Sequence, residues 1–567
     1  MRKRWTLLPA DDNAIDHLQK TLNINPVFCR LLVQRGITTF EEAKAFFRPN
    51  FHQLHDPFLM EDMDKATKRI ELAILKKEKI LLFGDYDVDG TTCVALLFEF
   101  LFPIHPFLEY YIPDRYKEGY GISEAGINYA NEKNCSLIIA MDCGIRAVEK
   151  VAFAKSLGID FIICDHHLPD GKIPAAAAVL DPMRPDCNYP YRGLSGCGVV
   201  FKLAQAITQI LNLPQDRLFN LLDILVLSIA ADIVPMTGEN RTLAHFGLIK
   251  INNSERVGIN ELIKKSRRKR PMSISDLVFG IAPMINAAGR LGDAKLSVKI
   301  LITKNKTEAI DLAHQLHTQN ELRKAHDKLI LDDAKKLFTL IPNYSELNSI
   351  LLFNKKWHKG VVGIAAARMV EAFHKPTILL TESNGVATGS ARSVPGFKIY
   401  DAIKSCEELL TNFGGHDHAA GMTLPIENIP AFQKRFEEAV KKTITKEMQI
   451  PELKIAALID LNEINFSFWN ILKQFAPFGP GNRSPVFVTK NVIDSGQSRL
   501  LKGNHMRVGI KKNNSIPFYG IAFNMGEHFP KISSKKTFHI AYKIVEEHWQ
   551  GEKSLKLMVR DFWFLGH

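Results

Sequence analysis

The sequence predicts an α/β chain of several units: a doubly wound domain, a long helix joining it to a second α/β domain, and a C-terminal β-barrel. Three observations predict this. Short apolar runs at 80–83, 137–141 and 161–164 are each followed by an acid within two residues and are separated by helical patterns, as expected of buried parallel strands. Residues 307–338 are highly charged and free of Gly and Pro, with Leu312, Leu316, Leu322, Leu329 and Leu337 spread through them. A helix this polar bridges domains more readily than it fills a core. From 452 onward, short β-rich runs replace the alternation.

At 567 residues the chain exceeds one hydrophobic core, and typical domain sizes suggest about three or four domains. Hydrophobic and charged contents of 46% and 24% are those of an ordinary globular protein. Lys+Arg of 73 against Asp+Glu of 61 gives 73 − 61 = +12. That balance fits a polyanionic partner, although charge alone leaves open a merely basic protein. The eight cysteines include no Cys-x-x-Cys pair and read as buried thiols of a reducing compartment. The basic start, Met1-Arg2-Lys3-Arg4-Trp5, precedes no adequate apolar segment or cleavage site, and no apolar run is long enough to span a bilayer. The expectation is a soluble, cytoplasmic protein with no membrane association.

Residues 1–75 read as a helical segment. Asn25-Pro26 opens a helix that Gly36 ends, and Thr39 caps another over 40–47 before Pro49 breaks it. This segment is expected to pack against the following sheet or guard its entrance. The doubly wound domain is placed at 76–302, with helices at 91–102, 123–132 and 145–156, a strand at 108–112, and Gly158 closing the last helix. The connecting segment with its long helix is placed at 303–345, the helix itself being ended by Pro342. In the second α/β domain, 346–445, strands at 350–353 and 377–380 precede a hairpin signal at Asn384-Gly385. Runs at 453–461, 485–489, 506–510, 518–523, 538–545 and 555–562 make the barrel of 452–567, which the strands alone would equally allow as a structural cap.

In a parallel sheet the ligand site lies beyond the carboxyl ends of the strands, where strand order reverses. Acids ending three such runs converge on one rim, and clustered carboxylates repel unless cations neutralise them. The pattern asks for a divalent metal, and carboxylates with imidazole suit Mn²⁺ or Mg²⁺.

Four motifs occur in order: Asp85, Asp87 and Asp89 within 84–90; Asp142-Cys143-Gly144; Asp165-His166-His167; and Ala231-Asp232-Ile233-Val234-Pro235. Together they resemble the DHH phosphoesterase superfamily, named for the Asp-His-His triplet. Tyr110-Tyr111-Ile112-Pro113-Asp114-Arg115, Gly119-Tyr120-Gly121 and Asn286-Ala287-Ala288-Gly289-Arg290 are similar to its bacterial exonuclease members. The motifs around Trp357-His358-Lys359-Gly360, Ser390-Ala391-Arg392 and Gly414-Gly415-His416 look like the accompanying DHHA1 domain, and the resemblance implies an OB-like C-terminal domain entered at 475–482. It places Asp85, Asp87, Asp142, His166 and Asp232 as ligands of one or two ions, with Asp142 the bridge. It also implies that Asp165 orients a histidine, that His167 lies at the scissile phosphate, and that Arg115, Arg290, Ser390, Arg392 and His416 meet substrate. Asp89 would support either a ligand or the turn. One departure is Leu81, where smaller members carry a histidine; its loss weakens one metal position. The basic run 266–270 and the aromatics Tyr111, Tyr116 and Tyr120 are open to either a nucleic-acid or a structural role.

The resemblance implies a metal-dependent exonuclease that degrades single-stranded DNA 5′ to 3′ into mononucleotides during DNA repair and recombination. Single-strand-binding protein and a helicase are the implied partners of a monomer. Two alternatives stand beside it: a phosphodiesterase for short oligonucleotides or cyclic dinucleotides, and a non-catalytic DNA-binding scaffold.

Overall fold

The computed structural model describes residues 3–512 and 516–565. Its first sheet is fully parallel, in the spatial order Leu108–Tyr111, Lys79–Gly84, Cys135–Met141, Asp160–Cys164, Ala178–Leu180. Alternate residues of these strands enter two cores. Ile80, Leu82, Ile139 and Ile162 join the helices on one face, while Leu81, Phe83, Ile138 and Ile163 join those on the other. The chain order along the sheet is 2-1-3-4-5, so strand order reverses between Lys79–Gly84 and Cys135–Met141. That reversal is the expected crevice of a doubly wound sheet.

Two helices start later or earlier than the periodicity predicts, and both shifts serve the crevice. The helix expected at 91–102 is Val88–Leu101, because the Asp87 side chain accepts from Gly90 N and caps it three residues sooner. The helix expected at 145–156 begins only at Val148. Residues 142–147 are held open by the left-handed backbone of Asp142 and Gly144 (φ +59° and +117°) and by an Ile145 N–H donated to Asp165.

The long helix, Lys306–Thr339, is capped by Asn305 and links two cores. Leu312 and Leu316 pack with the first domain, whereas Ile330, Ala334 and Phe338 pack with the second. Leu322 and Leu329 are exposed. The second sheet runs Asn412–His416, Ala419–Leu424, Val386–Arg392, Thr377–Ser383, Ile350–Phe353. Asn384 and Gly385 turn its predicted hairpin with positive φ.

C-terminally, the strands Phe487–Asp494, Phe538–Trp549, Glu552–Phe564, Phe518–Ala522 and His505–Lys511 pair in sequence, and Ile493 pairs back to Lys511. The ring closes as a five-stranded barrel, the OB architecture.

The N-terminal segment follows its expected placement only in part: the helix Met63–Lys76 packs into the core of the first sheet, but the strand and helices up to Phe47 do not. Arg4–Leu7 is a strand, paired in parallel with Glu452–Ile455. Ile15, Leu18, Phe28 and Leu31 pack with Phe468, Phe475 and the barrel core, not with the first sheet. Periodicity exposes an apolar stripe but says nothing of which distant surface covers it. Met1 and Arg2 of the basic start lie outside the described residues.

Candidate metal centre

Every acid of the predicted cluster stands just past a strand or helix end. Asp85 and Asp87 follow Lys79–Gly84, Asp142 follows Cys135–Met141, Asp165 follows Asp160–Cys164, and Asp232 follows the helix Leu222–Ala231. Three sets of side-chain donors come within 4.8 Å of one another: Asp85 with Asp87 and Asp142, Asp142 with His166 and His167, and Asp89 with His166 and Asp232. Asp142 belongs to two of them and His166 to two. Close packing here depends on missing side chains: a Cβ on Gly196 would fall 2.9 Å from Asp142 Oδ1, and one on Gly90 would fall 2.5 Å from Asp85 N.

Burial raises the affinity of Asp85, Asp87, Asp142 and Asp232 for protons. Asp85 and Asp142 are pushed well above the ordinary aspartate range by desolvation and then by neighbouring aspartates, and Asp232 rises to about 8 for the same two reasons. Asp85 Oδ1 is buried with no hydrogen-bond partner among the described residues. An orphaned carboxylate oxygen amid repelling acids, with one imidazole at hand, is a donor set that fits a hard divalent cation such as Mg²⁺ or Mn²⁺.

The two histidines are fixed differently. His166 Nδ1–H must donate to Leu194 O (3.1 Å), since a carbonyl only accepts. That leaves its Nε2 lone pair facing Asp142 Oδ1 at 3.2 Å and Asp232 Oδ2 at 3.7 Å. His167 Nδ1–H donates to Asp165 Oδ1 at 2.7 Å, and its Nε2 meets the Tyr120 hydroxyl at 3.2 Å. Burial pushes Asp165 up, but the His167 contact and the Ile145 N–H outweigh it and hold the carboxyl at about 2. Asp165 is therefore a permanent anion behind His167. Asp89 is not a turn residue: its carboxylate, inside the first helical turn, accepts from Gly196 N, Cys197 N and Ser228 Oγ. It anchors the helix Gly196–Ile210 and stands 3.8 Å from His166 Nε2. Leu81 is fully buried in the apolar core.

Beside this cluster, arginines converge from three elements. The Arg115 guanidinium lies 4.8 Å from the Tyr86 ring centre. Arg290 Nη1 donates to Gly360 O (3.0 Å), and Arg392 Nη1 donates to Ser390 Oγ (2.6 Å). Burial, then Arg115, Arg323 and Arg392, lower the Arg290 pKa to about 10. Planar guanidinium groups gathered in this way match the geometry of a phosphate or carboxylate. His416 lies on the exposed edge strand, in register through Ala419 with Arg392, two strand spacings away, or about 10 Å. Tyr116 bonds the Arg290 carbonyl at this rim, whereas Tyr111 stacks on Phe83 in the core.

Two residues of the site were given no role from the sequence. Asp181 is fully buried beside Asp165 and His166, with Oδ2 unpartnered among the described residues and its pKa raised to about 8 by burial. It too ends a strand, but Ala178–Leu180 has only three residues, too few to show a pattern. Asn286 Oδ1 accepts from Val88 N (3.1 Å), tying the helix Ala282–Leu291 to the first acid motif.

Comparisons with known proteins agree with this architecture. Family models match the DHH family N-terminal domain at 79–229, the DHHA1 domain at 344–442 and the RecJ OB domain at 455–561. The single-stranded-DNA-specific exonuclease RecJ of Bacillus subtilis is 34% identical over 99% of this chain and 71% of its own length. That of Salmonella typhimurium is 30% identical over 95% of this chain and 96% of its own length. The chain belongs to the RecJ family. A crystal structure of RecJ from Thermus thermophilus in complex with Mn²⁺ superposes with a TM-score of 0.85 at 26% identity, covering all of this chain and 80% of that one. The Mg²⁺ complex of the same RecJ gives 0.79 at 25% identity, over all of this chain and 79% of that one.

Proposed function

We propose that the protein is a metal-dependent exonuclease that hydrolyses single-stranded DNA 5′ to 3′ and releases mononucleotides, a chemistry suited to DNA repair and recombination. The observation that carries the reading is the joining of an acidic metal-ligand cluster to an arginine pocket through Tyr86 and Asn286. Asp85, Asp87, Asp142, His166 and Asp232 hold Mn²⁺ or Mg²⁺, which supplies Lewis-acid stabilisation of the reacting phosphodiester and of the attacking water. Arg115, Arg290, Ser390 and Arg392 seat a terminal phosphate, with His416 further out on the same sheet face. Strand polarity rests on the resemblance to the family: on that reading the phosphate gripped by this pocket is the 5′ one, and the next phosphodiester along the strand reaches the acids. His167 moves a proton at Nε2, because Asp165 fixes its other nitrogen as the donor and stabilises the imidazolium that results. Tyr120 orients the same nitrogen.

The proposal extends to location and partners. All eight cysteines are buried and unbridged, which supports a reducing cytoplasm. Among the described residues no helix is long and apolar enough to cross a membrane. A monomer working with single-strand-binding protein and a helicase completes the reading.

Single strands labelled at the 5′ or the 3′ end test it. Immediate release of the 5′ label as mononucleotide is expected, in Mn²⁺ or Mg²⁺. Release from the 3′ end, or digestion of blunt duplex at the single-strand rate, would overturn the reading. Arg392→Ala is expected to raise KM for 5′-phosphorylated strands by roughly tenfold to a hundredfold, the worth of a charged hydrogen bond. An equal effect on strands lacking that phosphate would remove Arg392 from the pocket.

A further inference from the structure

The motif Trp357-His358-Lys359-Gly360 takes no part in the chemistry above, yet its loop backs onto the phosphate pocket. The loop is fixed where it leaves the strand Ile350–Phe353. Asp333 of the long helix accepts from Asn354 Nδ2 and from Trp357 Nε1, each at 2.8 Å, and Trp357 O accepts from Thr381 Oγ1 at 2.6 Å. Trp357 is itself buried. Before the helix Val362–Phe373 begins, the chain presses against the first domain. A Cβ on Gly360 would overlap the Tyr116 hydroxyl and fall 2.8 Å from Arg290 O, so glycine alone fits there.

At this seam Arg290 is held by its backbone and by its side chain. Its carbonyl accepts from the Tyr116 hydroxyl, and its Nη1 donates to Gly360 O at 3.0 Å. Among the described residues Gly360 O is the only hydrogen-bond partner of the guanidinium. The direction of that carbonyl therefore aims Arg290, and His358 sets the direction from two sides. Its ring Nδ1 accepts from Gly360 N at 3.1 Å, and its own carbonyl accepts from Val361 N at 3.0 Å. Both peptide units that flank Gly360 are thus tied to one residue. A backbone N–H only donates, so Nδ1 keeps its lone pair, and the neutral ring carries its proton on Nε2. Burial and then His326, whose ring lies 5.2 Å away on the long helix, lower the His358 pKa and keep the ring neutral.

We propose that His358 is a positioning residue of the phosphate pocket: through Gly360 it holds the Arg290 guanidinium aimed at the terminal phosphate of the strand. The role rests on the exonuclease reading and deepens it, because His358 acts on the phosphate only through other residues. A glycine released from one of its two ties regains the widest backbone freedom of any residue. An arginine whose anchor swings must then be ordered afresh each time a strand binds. That cost falls on capture of the phosphate and not on the hydrolytic step at the acids, so it enters KM and leaves kcat.

The test is steady-state cleavage, with Mn²⁺, of the same single strand bearing either a 5′ phosphate or a 5′ hydroxyl. Three variants of similar size are compared with the wild type. His358→Phe keeps a ring without an acceptor, His358→Gln carries its amide out towards the place of Nε2, and His358→Asn puts an amide oxygen where Nδ1 stands. His358→Phe and His358→Gln are expected to raise KM for the phosphorylated strand roughly threefold to tenfold, the worth of a neutral hydrogen bond, with kcat retained. The hydroxyl-ended strand is cleaved by both as by the wild type, and His358→Asn keeps the wild-type KM on either strand. That rescue separates positioning from damage to the fold. A loss shared by His358→Asn, a loss equal on the two strands, or an unchanged KM in all three variants would overturn the role and leave the exonuclease reading intact. A wild-type protein indifferent to the 5′ phosphate would overturn the pocket reading, and the role of His358 with it.

Discussion

Asp142→Asn is expected to abolish strand hydrolysis, lowering the rate by well over the roughly hundredfold that loss of a ligand's supporting hydrogen bond costs. The substitution keeps the side-chain shape and removes one negative charge. That charge sits where two of the three donor sets overlap, so one amide weakens both. The chain has committed backbone to this position: Asp142 takes a left-handed conformation and Gly196 forgoes a side chain to make room for it. By contrast, Asp165→Asn leaves every candidate ligand in place and disturbs the partner of His167 and the acceptor of the Ile145 and His166 N–H groups, so a smaller loss, roughly tenfold to a hundredfold, is expected. Metal binding by calorimetry separates the two. Asp142→Asn should bind Mn²⁺ weakly and Asp165→Asn normally. Comparable activity of Asp142→Asn and the wild type would remove Asp142 from the centre of the site.

Much of this site was legible because a parallel sheet writes its active edge into the sequence. A buried strand is an apolar run, and the residue after it stands on the rim, so Asp85, Asp142 and Asp165 declare themselves by position. Asp181 obeys the same rule but follows a strand of three residues, which no pattern reveals. The long helix was legible from its lack of Gly and Pro and its high charge, and its two ends bury apolar residues in different cores. What sequence did not convey was long-range pairing. The sequence left Asp89 open between supporting a ligand and supporting the turn because its partners, Gly196, Cys197 and Ser228, lie more than a hundred residues away. The N-terminal helices showed correct caps at Asn25 and Thr39, since capping is local chemistry. Their docking on the barrel depends on Phe475 and Phe468, which periodicity cannot connect to Phe28.

Divalent metal should stabilise the protein, and more strongly at pH 8 than at pH 6. In the metal-free cluster Asp85, Asp87 and Asp142 are raised by burial and mutual repulsion, and Asp232 titrates near 8. The folded chain therefore holds protons that the unfolded chain has released from about pH 4 upward, the ordinary aspartate value. Stability falls with rising pH wherever the native state binds more protons, so the metal-free protein weakens through the window from about 4 to about 8. His166 acts in the same direction. Its burial lowers the pKa, but Asp89 and Asp232 raise it above the unfolded value, and the stabilisation from the charged imidazole is lost as pH rises through the folded pKa. Asp165, held near 2, lies outside this window. Binding a cation displaces these protons and replaces repulsion with attraction, so affinity rises with pH and protons are released. At metal a hundredfold above Kd the gain is about 2.7 kcal/mol, read as a rise in the melting temperature of the domain that carries the site. Asp142→Asn makes the opposite trade: the metal-free variant should be more stable than the wild type at pH 8, having one repelling charge fewer, and should gain little from Mn²⁺. Equal metal-induced shifts at the two pH values, or no proton release in calorimetry across buffers of different ionisation enthalpy, would show that the carboxylates are already ionised and neutralised by the protein itself.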